Sequence, residues 1–341
     1  MQSHDSDKIR VGVVGCGHWG KNYVRIFSSL PNSCVTAVCD LKGQRQAFIQ
    51  EMYPSVRLFT DFEQLLTSDL CDAVVVATNA STHYNLTKKA LESNLHVIAE
   101  KPLTLSIEEA DELVRLSKDR DRILLVAHTF LYNPSILKIR QLLKEGAVGD
   151  VYYLKARRTH LGLVREDVSA IWDLAPHDIS IFLYFLGQLP MSVQAMGGKY
   201  LKDSREDAAF INLRFPNGTI ANIIVSWADA NKERYLDIVG SKARIVFNDL
   251  DNLEPIRIYH KGISVDHEHN GFGEFQYLLR DGDIISPKVN QEEPLKALCK
   301  AFLESIDTKV PPLSDGKLGR DVVAVLCKIQ EAISIRDEVY V

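Results

Sequence analysis

The chain has 341 residues, more than one hydrophobic core usually serves, and therefore predicts two domains. Its 46% apolar and 25% charged residues are the makeup of an ordinary globule, and a net charge of −5 leaves no basic excess with which to hold nucleic acid. The polar start, Met1 to Lys8, contains no apolar signal segment and no window reaches the length of a membrane span, so a cytoplasmic location without a membrane partner is expected.

The first strand is an apolar run from Val11 that ends in Gly15, Gly17 and Gly20, and residues 22–30 then carry apolar side chains at helical spacing. Strand, glycine turn and helix in this order are what a dinucleotide-binding fingerprint requires. Gly15 makes the turn, Gly17 lets a pyrophosphate approach bare backbone, and Gly20 lets helix and strand pack closely. The helix start offers N–H groups to the phosphates. A second strand, residues 33–39, ends at Asp40, placed to accept hydrogen bonds from the adenosine ribose and to repel a 2′-phosphate. NAD is thus favoured over NADP, although Lys42 and Arg45 are near enough in sequence to soften the repulsion and keep NADP possible.

Strand and helix patterns continue to alternate through residue 127, which predicts a doubly wound parallel sheet with helices on both faces. Ligands of such sheets bind beyond the carboxyl ends of the strands. Thr78, Asn79 and His83 follow one strand, residues 73–77, and Glu100 and Lys101 follow the next, residues 96–99. His96 reads as a packed structural histidine. Six cysteines at 16, 34, 39, 71, 299 and 327 form no C-x-x-C pair and read as reduced thiols, with no metal site.

From about residue 128 the rhythm changes. A helix over 133–145 is followed by extended runs at 151–159, 192–198, 208–215, 220–227, 235–240 and 243–247, with a hairpin turn at Asn217-Gly218. These runs predict an α+β domain with a large, mainly antiparallel open sheet, one face of which is free to bury itself against a copy. The expected boundaries are 1–128 for a dinucleotide-binding domain and 129–341 for a substrate-binding and oligomerisation domain. Residues 170–180 open a buried helix whose start is marked by Pro176. Asp173 and His177, four apart, share one face near its N-terminal end, where an imidazole could move a proton and a carboxylate could orient it. Residues 249–288 read as a loop-rich excursion, with His267 and His269 as solvated histidines. Helices are expected at 292–306 and 317–335.

Residues 15–20 (GCGHWG), 77–83 (ATNASTH), 96–102 (HVIAEKP) and 172–177 (WDLAPH) resemble, in order and spacing, the Gfo/Idh/MocA family of NAD(P)-dependent oxidoreductases. The resemblance implies a Rossmann domain followed by an α/β domain whose open sheet mediates homodimers or homotetramers. It implies Lys101 beside the nicotinamide and His177 as acid/base, and adds His18 and Trp19 to the cofactor residues. Two departures stand out: Asn79 where the family often has proline, and Ser180 where it commonly has a second aspartate, with Asp178 directly after the histidine instead. Residues 128–134, 158–165 and 282–287 are similar to the branch of sugar-nucleotide 3-dehydrogenases and 3-ketoreductases. That likeness implies hydride transfer at C3 of a nucleotide-linked hexose, with Tyr132, Arg158, His160 and Arg165 joining Asp173 and His177 at the substrate. A free sugar or inositol-type polyol as substrate, and a non-catalytic NAD-binding regulator, are the other readings the residues allow.

Overall fold

The computed structural model describes residues 8–162, 164–201, 204–266 and 276–335; His267 and His269 lie outside the described residues. The chain divides into two compact units, 1–132 with 292–327, and 133–291 with 328–341.

In the first unit the elements run β1 (Ile9–Val14), α1 (His18–Ser29), β2 (Ser33–Cys39), α2 (Gly43–Met52), β3 (Arg57–Phe59), α3 (Phe62–Leu66), β4 (Ala73–Val76), α4 (Ala80–Glu92), β5 (His96–Ala99), α5 (Ile107–Asp119) and β6 (Leu124–Val126). Their six strands pair in parallel in the order β3-β2-β1-β4-β5-β6, so the sheet reverses direction of winding at β1. β4 and the last four residues of β1 are fully buried, the continuous apolar runs of a sheet covered on both faces. Helix starts are set by side chains that fill the orphan N–H groups: Asp61 caps α3 and Ser106 caps α5.

The second unit follows with α6 (Pro134–Lys144), β7 (Val151–Leu161), α7 (Ala170–Leu186), β8 (Ser192–Gly198), β9 (Ala208–Arg214), β10 (Ile220–Ser226), β11 (Ala228–Gly240), β12 (Arg244–Asn248), β13 (Ile256–Tyr259), β14 (Gly262–Asp266), β15 (Gln276–Arg280) and β16 (Ile284–Ile285). Eight of these strands make one sheet in the order β16-β13-β12-β11-β7-β10-β9-β8, antiparallel throughout except for the β7–β10 pair. Alternation sets its faces: Leu154, Ala156, Ala209, Ile211, Ala221 and Ile223 are buried on the side that α7 covers. Tyr153, Met196, Phe210 and Ile220 on the opposite side are exposed. The hairpin at Asn217-Gly218 is present, with Gly218 at φ 86°.

Three expectations are corrected. α7 begins at Ala170 rather than at Pro176, which lies inside it; Ser169 occupies the N-cap position, seven residues before the proline. Residues 249–288 contain four short strands, too brief to show a period. A boundary near 128 does not assign everything after it to the second unit, since helices α8 (Pro294–Thr308) and most of α9 (Gly316–Ile335) belong with the first. The return is built by Ser314, whose carbonyl accepts from Val126 N at 2.8 Å and whose hydroxyl donates to Val126 O at 2.7 Å. Amphipathic spacing tells that a helix buries one face, not which core receives it. Among the described residues no helix is long and apolar enough to cross a membrane.

Candidate functional site

At the end of β1 the glycine turn has the geometry its composition implies. Gly15 has φ 85°, and a Cβ there would lie 2.6 Å from the Ala77 carbonyl oxygen. A Cβ on Gly20 would lie 1.9 Å from the Gly15 carbonyl oxygen, so only glycine lets α1 meet the turn. Gly17 caps α1 and opens onto a cleft of about 400 Å³ lined by Cys16, Gly17, His18, Lys21, Asn22 and Arg45. A helix N-terminus flanked by two cations fits a pyrophosphate. Trp19 is exposed and stands edge-on to His18, outside that lining.

Asp40 is buried at the end of β2, and its carboxylate accepts from Cys16 N at 2.6 Å, Lys42 N at 2.8 Å and the Arg45 guanidinium at 3.3 Å. It therefore ties the second strand to the glycine turn and remains at the rim where a ribose would lie. Burial and the Asp40 charge push the Cys16 thiol up to about 11, which keeps it protonated and suits the reading of a small core residue.

At the ends of β4 and β5 the polar residues are held largely by backbone. Thr78 receives a hydrogen bond from the Thr82 hydroxyl at 2.8 Å, and Asn79 caps α4 with an exposed amide that makes no capping bond. His83 is buried, with Nδ1 2.7 Å from the Pro102 carbonyl and Nε2 3.2 Å from that of Thr78, and so ties the two strand ends together. Glu100 accepts from the Tyr23 hydroxyl at 2.9 Å and from Lys101 N at 3.2 Å, both within the core of the unit. Lys101 follows, only 8% exposed, at a cis Lys101–Pro102 bond. Beside it, one strand over, His128 is buried with no hydrogen-bond partner on either ring nitrogen among the described residues. Burial and the Lys101 ammonium push this imidazole down to about 3, so it is neutral. The contacts of Tyr23 and His128 with these groups were not legible in the sequence, because Tyr23 falls at a core position of α1 and His128 sits where the strand rhythm stops. Tyr132 is buried, its hydroxyl 3.1 Å from the Ser314 hydroxyl and accepting from Ser314 N at 3.3 Å.

In the second unit, α7 carries Asp173 and His177 one turn apart on the same face. The Asp173 carboxylate accepts from Arg165 at 3.2 Å, and Arg165 also grips Asp167 at 2.6 and 2.9 Å. Arg158 is buried and forks onto the Asp178 carboxylate, so the guanidinium geometry suited to an anion is directed at a residue of α7. His160 is half-buried at the end of β7, its ring folded against Gly162.

Residues 9–128 match the model of the oxidoreductase family with an NAD-binding Rossmann fold, and residues 136–246 that of the Gfo/Idh/MocA C-terminal domain. UDP-N-acetylglucosamine 3-dehydrogenase of Acidithiobacillus ferrooxidans is 29% identical over 326 residues, covering 95% of this chain and 97% of the other. The solved structure of that enzyme superposes with a TM-score of 0.80 at 27% identity, over 96% of this chain and 98% of that one. Inositol 2-dehydrogenase 2 of Paenarthrobacter aurescens is 30% identical over 228 residues, 63% of this chain and 68% of the other. A glycine turn that only glycine can make, followed by a parallel sheet and a second sheet crossed by a helix bearing Asp173 and His177, is therefore the framework of a Gfo/Idh/MocA oxidoreductase that binds NAD, and the chain belongs to that family.

Proposed function

We propose that the protein oxidises, or in the reverse direction forms, a secondary hydroxyl on the ring of a nucleotide-linked sugar, C3 of a UDP-hexose being the first candidate. The observation that carries this reading is the likeness to the Acidithiobacillus UDP-N-acetylglucosamine 3-dehydrogenase, which extends over 95% of the chain and so includes both units. Lys21, Asn22, His18 and the α1 N–H groups would hold the cofactor pyrophosphate, with Asp40 at the adenosine ribose and Arg45 above Gly17. NAD supplies a hydride acceptor or donor at its nicotinamide. His177 takes the proton of the reacting hydroxyl during oxidation and returns it during reduction. Asp173, tethered by Arg165, holds the neighbouring hydroxyl or the imidazole, and the Lys101 ammonium stabilises oxyanion character on the reacting oxygen. His160 is retained as a substrate contact.

A panel of UDP-, GDP- and dTDP-sugars and free polyols, followed by nicotinamide absorbance, tests the assignment. Reduction of NAD by UDP-N-acetylglucosamine is the expected result. A response confined to myo-inositol or another polyol favours the second reading, which the Paenarthrobacter inositol enzyme supports at 30% identity. The exposed apolar row Met196, Phe210, Ile220 and Tyr153 on the outer sheet face is best covered by a second copy of the chain, so a homodimer or homotetramer in the cytoplasm is proposed. Light scattering on the eluting protein should return at least twice the chain mass.

A further inference from the structure

α7 carries Pro176 in its second turn, and a proline has no N–H, so the Trp172 carbonyl loses the donor that an unbroken helix would supply. The turn bearing His177 is instead held by side chains. The Ser180 hydroxyl donates to the His177 carbonyl at 2.8 Å. From the neighbouring strand, Arg158 donates to Asp178 through Nε at 3.0 Å and Nη2 at 2.8 Å, with side-chain exposures of 7% and 3%. A fork of this kind fixes both the distance and the rotation of the carboxylate. Away from water, each charge also acts on its neighbours far more strongly than it would in bulk solvent.

Among the described residues, the following charges lie on the elements around this turn. β7 contributes Arg158 on its inner row, with His160 beyond it. The inner rows of β9 (Ala209, Ile211, Leu213) and β10 (Ala221, Ile223, Val225) contribute none. From α6 comes Arg140, which donates to the Phe185 carbonyl at the far end of α7. The segment before α7 brings Arg165 and Asp167, which close on Asp173, and the segment before β9 brings Arg205, Glu206 and Asp207, whose backbone meets the helix start through Ala170 N. Asp178 adjoins His177 in the chain, and Arg158 is the cation that compensates it.

We infer that Arg158 is a positioning residue whose role is to neutralise Asp178, so that the adjacent His177 keeps an imidazole able to accept a proton near neutral pH. The inference rests on the reading of His177 as the proton-transfer group. Without Arg158, an uncompensated buried carboxylate one residue along the helix from the imidazole favours the imidazolium. Without Asp178, a guanidinium that never gives up its proton disfavours it. The two removals act in opposite directions, whereas a purely mechanical staple would respond alike to the loss of either half.

The test is a titration of the His177 ring resonance by NMR in the full-length protein, assigned with His177→Ala, alongside the pH profile of kcat/KM with NAD and UDP-N-acetylglucosamine. Arg158→Met is expected to raise the apparent His177 pKa by about one pH unit, Asp178→Asn to lower it by about one, and the double variant to return to within about 0.3 of the parent. The acid limb of the rate profile should follow in each case. Shifts of the same sign in the two single variants, or no shift in folded protein, overturn the inference. Should a single variant not fold, Arg158→Lys decides: it keeps the charge but loses the fork, and a His177 pKa displaced by about one pH unit or more overturns the charge role. Full turnover in His177→Ala would instead defeat the proton-transfer reading, while the NMR shifts still report whether the charges are coupled.

Discussion

At the ends of β2 and β5 in the first unit the buried carboxylates are met mainly by neutral donors: Asp40 by the Cys16 and Lys42 N–H groups at 2.6 and 2.8 Å, with the Arg45 guanidinium farther off at 3.3 Å, and Glu100 by the Tyr23 hydroxyl and Lys101 N. In the second, Asp173 and Asp178 are each met by an arginine. The contrast follows from topology. Strand ends of a parallel sheet run into turns that present free backbone N–H groups, so a rim can be built with little side-chain charge. A helix lying across a sheet has no spare backbone beyond its first turn, and its polar groups need side-chain partners. On the function proposed above, the strand-end rim of the first unit would bind mainly through fixed dipoles, and α7 would work with charges that influence one another.

The largest effect should fall on the charged side of this comparison. His177→Ala is expected to lower turnover by about 10²-fold or more while NADH affinity, read by fluorescence titration, stays near that of the parent. Equal loss of both would mean that the two units do not divide binding from chemistry. Gly20→Ala should do the reverse: with a Cβ 1.9 Å from the Gly15 carbonyl the turn must shift, and NADH affinity should fall more than about tenfold together with the thermal midpoint. Unchanged NADH affinity would remove the glycine turn from the cofactor site.

Tyr23→Phe sharpens the neutral-donor side. It leaves a Glu100 oxygen without its hydroxyl donor and should cost about 1–3 kcal/mol in chemical denaturation, with no change in the pH profile of turnover. A moved profile would show that this rim, too, works through coupled charge. The smallest effect concerns His96, whose imidazole is pushed down to about 4 by burial and by Arg122, and whose Nδ1 accepts from Ile123 N at 3.0 Å. The folded state holds this ring neutral while the unfolded chain protonates it below about pH 6.5, so stability is full above that value and declines as pH falls toward 4. His96→Asn keeps an acceptor and removes the titration. The thermal midpoint of the variant should therefore fall less steeply than that of the parent between pH 6.5 and 4.

Much of the first unit was legible in the sequence because its constraints are local. The glycines of the turn are required by atoms within a few residues or one strand away, and each buried strand is an unbroken apolar run. The second unit was legible in its alternation, less so in its site. Pro176 resembles a start signal but stands inside α7, since the capping serine precedes it by seven positions. His83, Tyr132 and Arg158 were recognisable as polar groups in informative places, yet their partners are Pro102, Ser314 and Asp178, and no spacing rule reveals a contact that the tertiary fold creates. Strands β13 to β16 escaped because two to five residues cannot establish a period.

β7 pairs in parallel with β10, β10 runs against β9, and β9 against β8, so β8 has the same direction as β7 and α7 is the crossover that joins them. His177 thereby lies within the helix that follows the carboxyl end of a strand, and the glycine turn between β1 and α1 occupies the same kind of strand-to-helix connection. The glycine turn and the helix proposed to carry the proton-transfer group thus share one kind of connection, strand into helix, with the positive pole of α1 at the first. A chain graft that lengthened the β7–α7 connection would thus be expected to move the reactive end of the helix, whereas one at the α7–β8 connection would leave it in place.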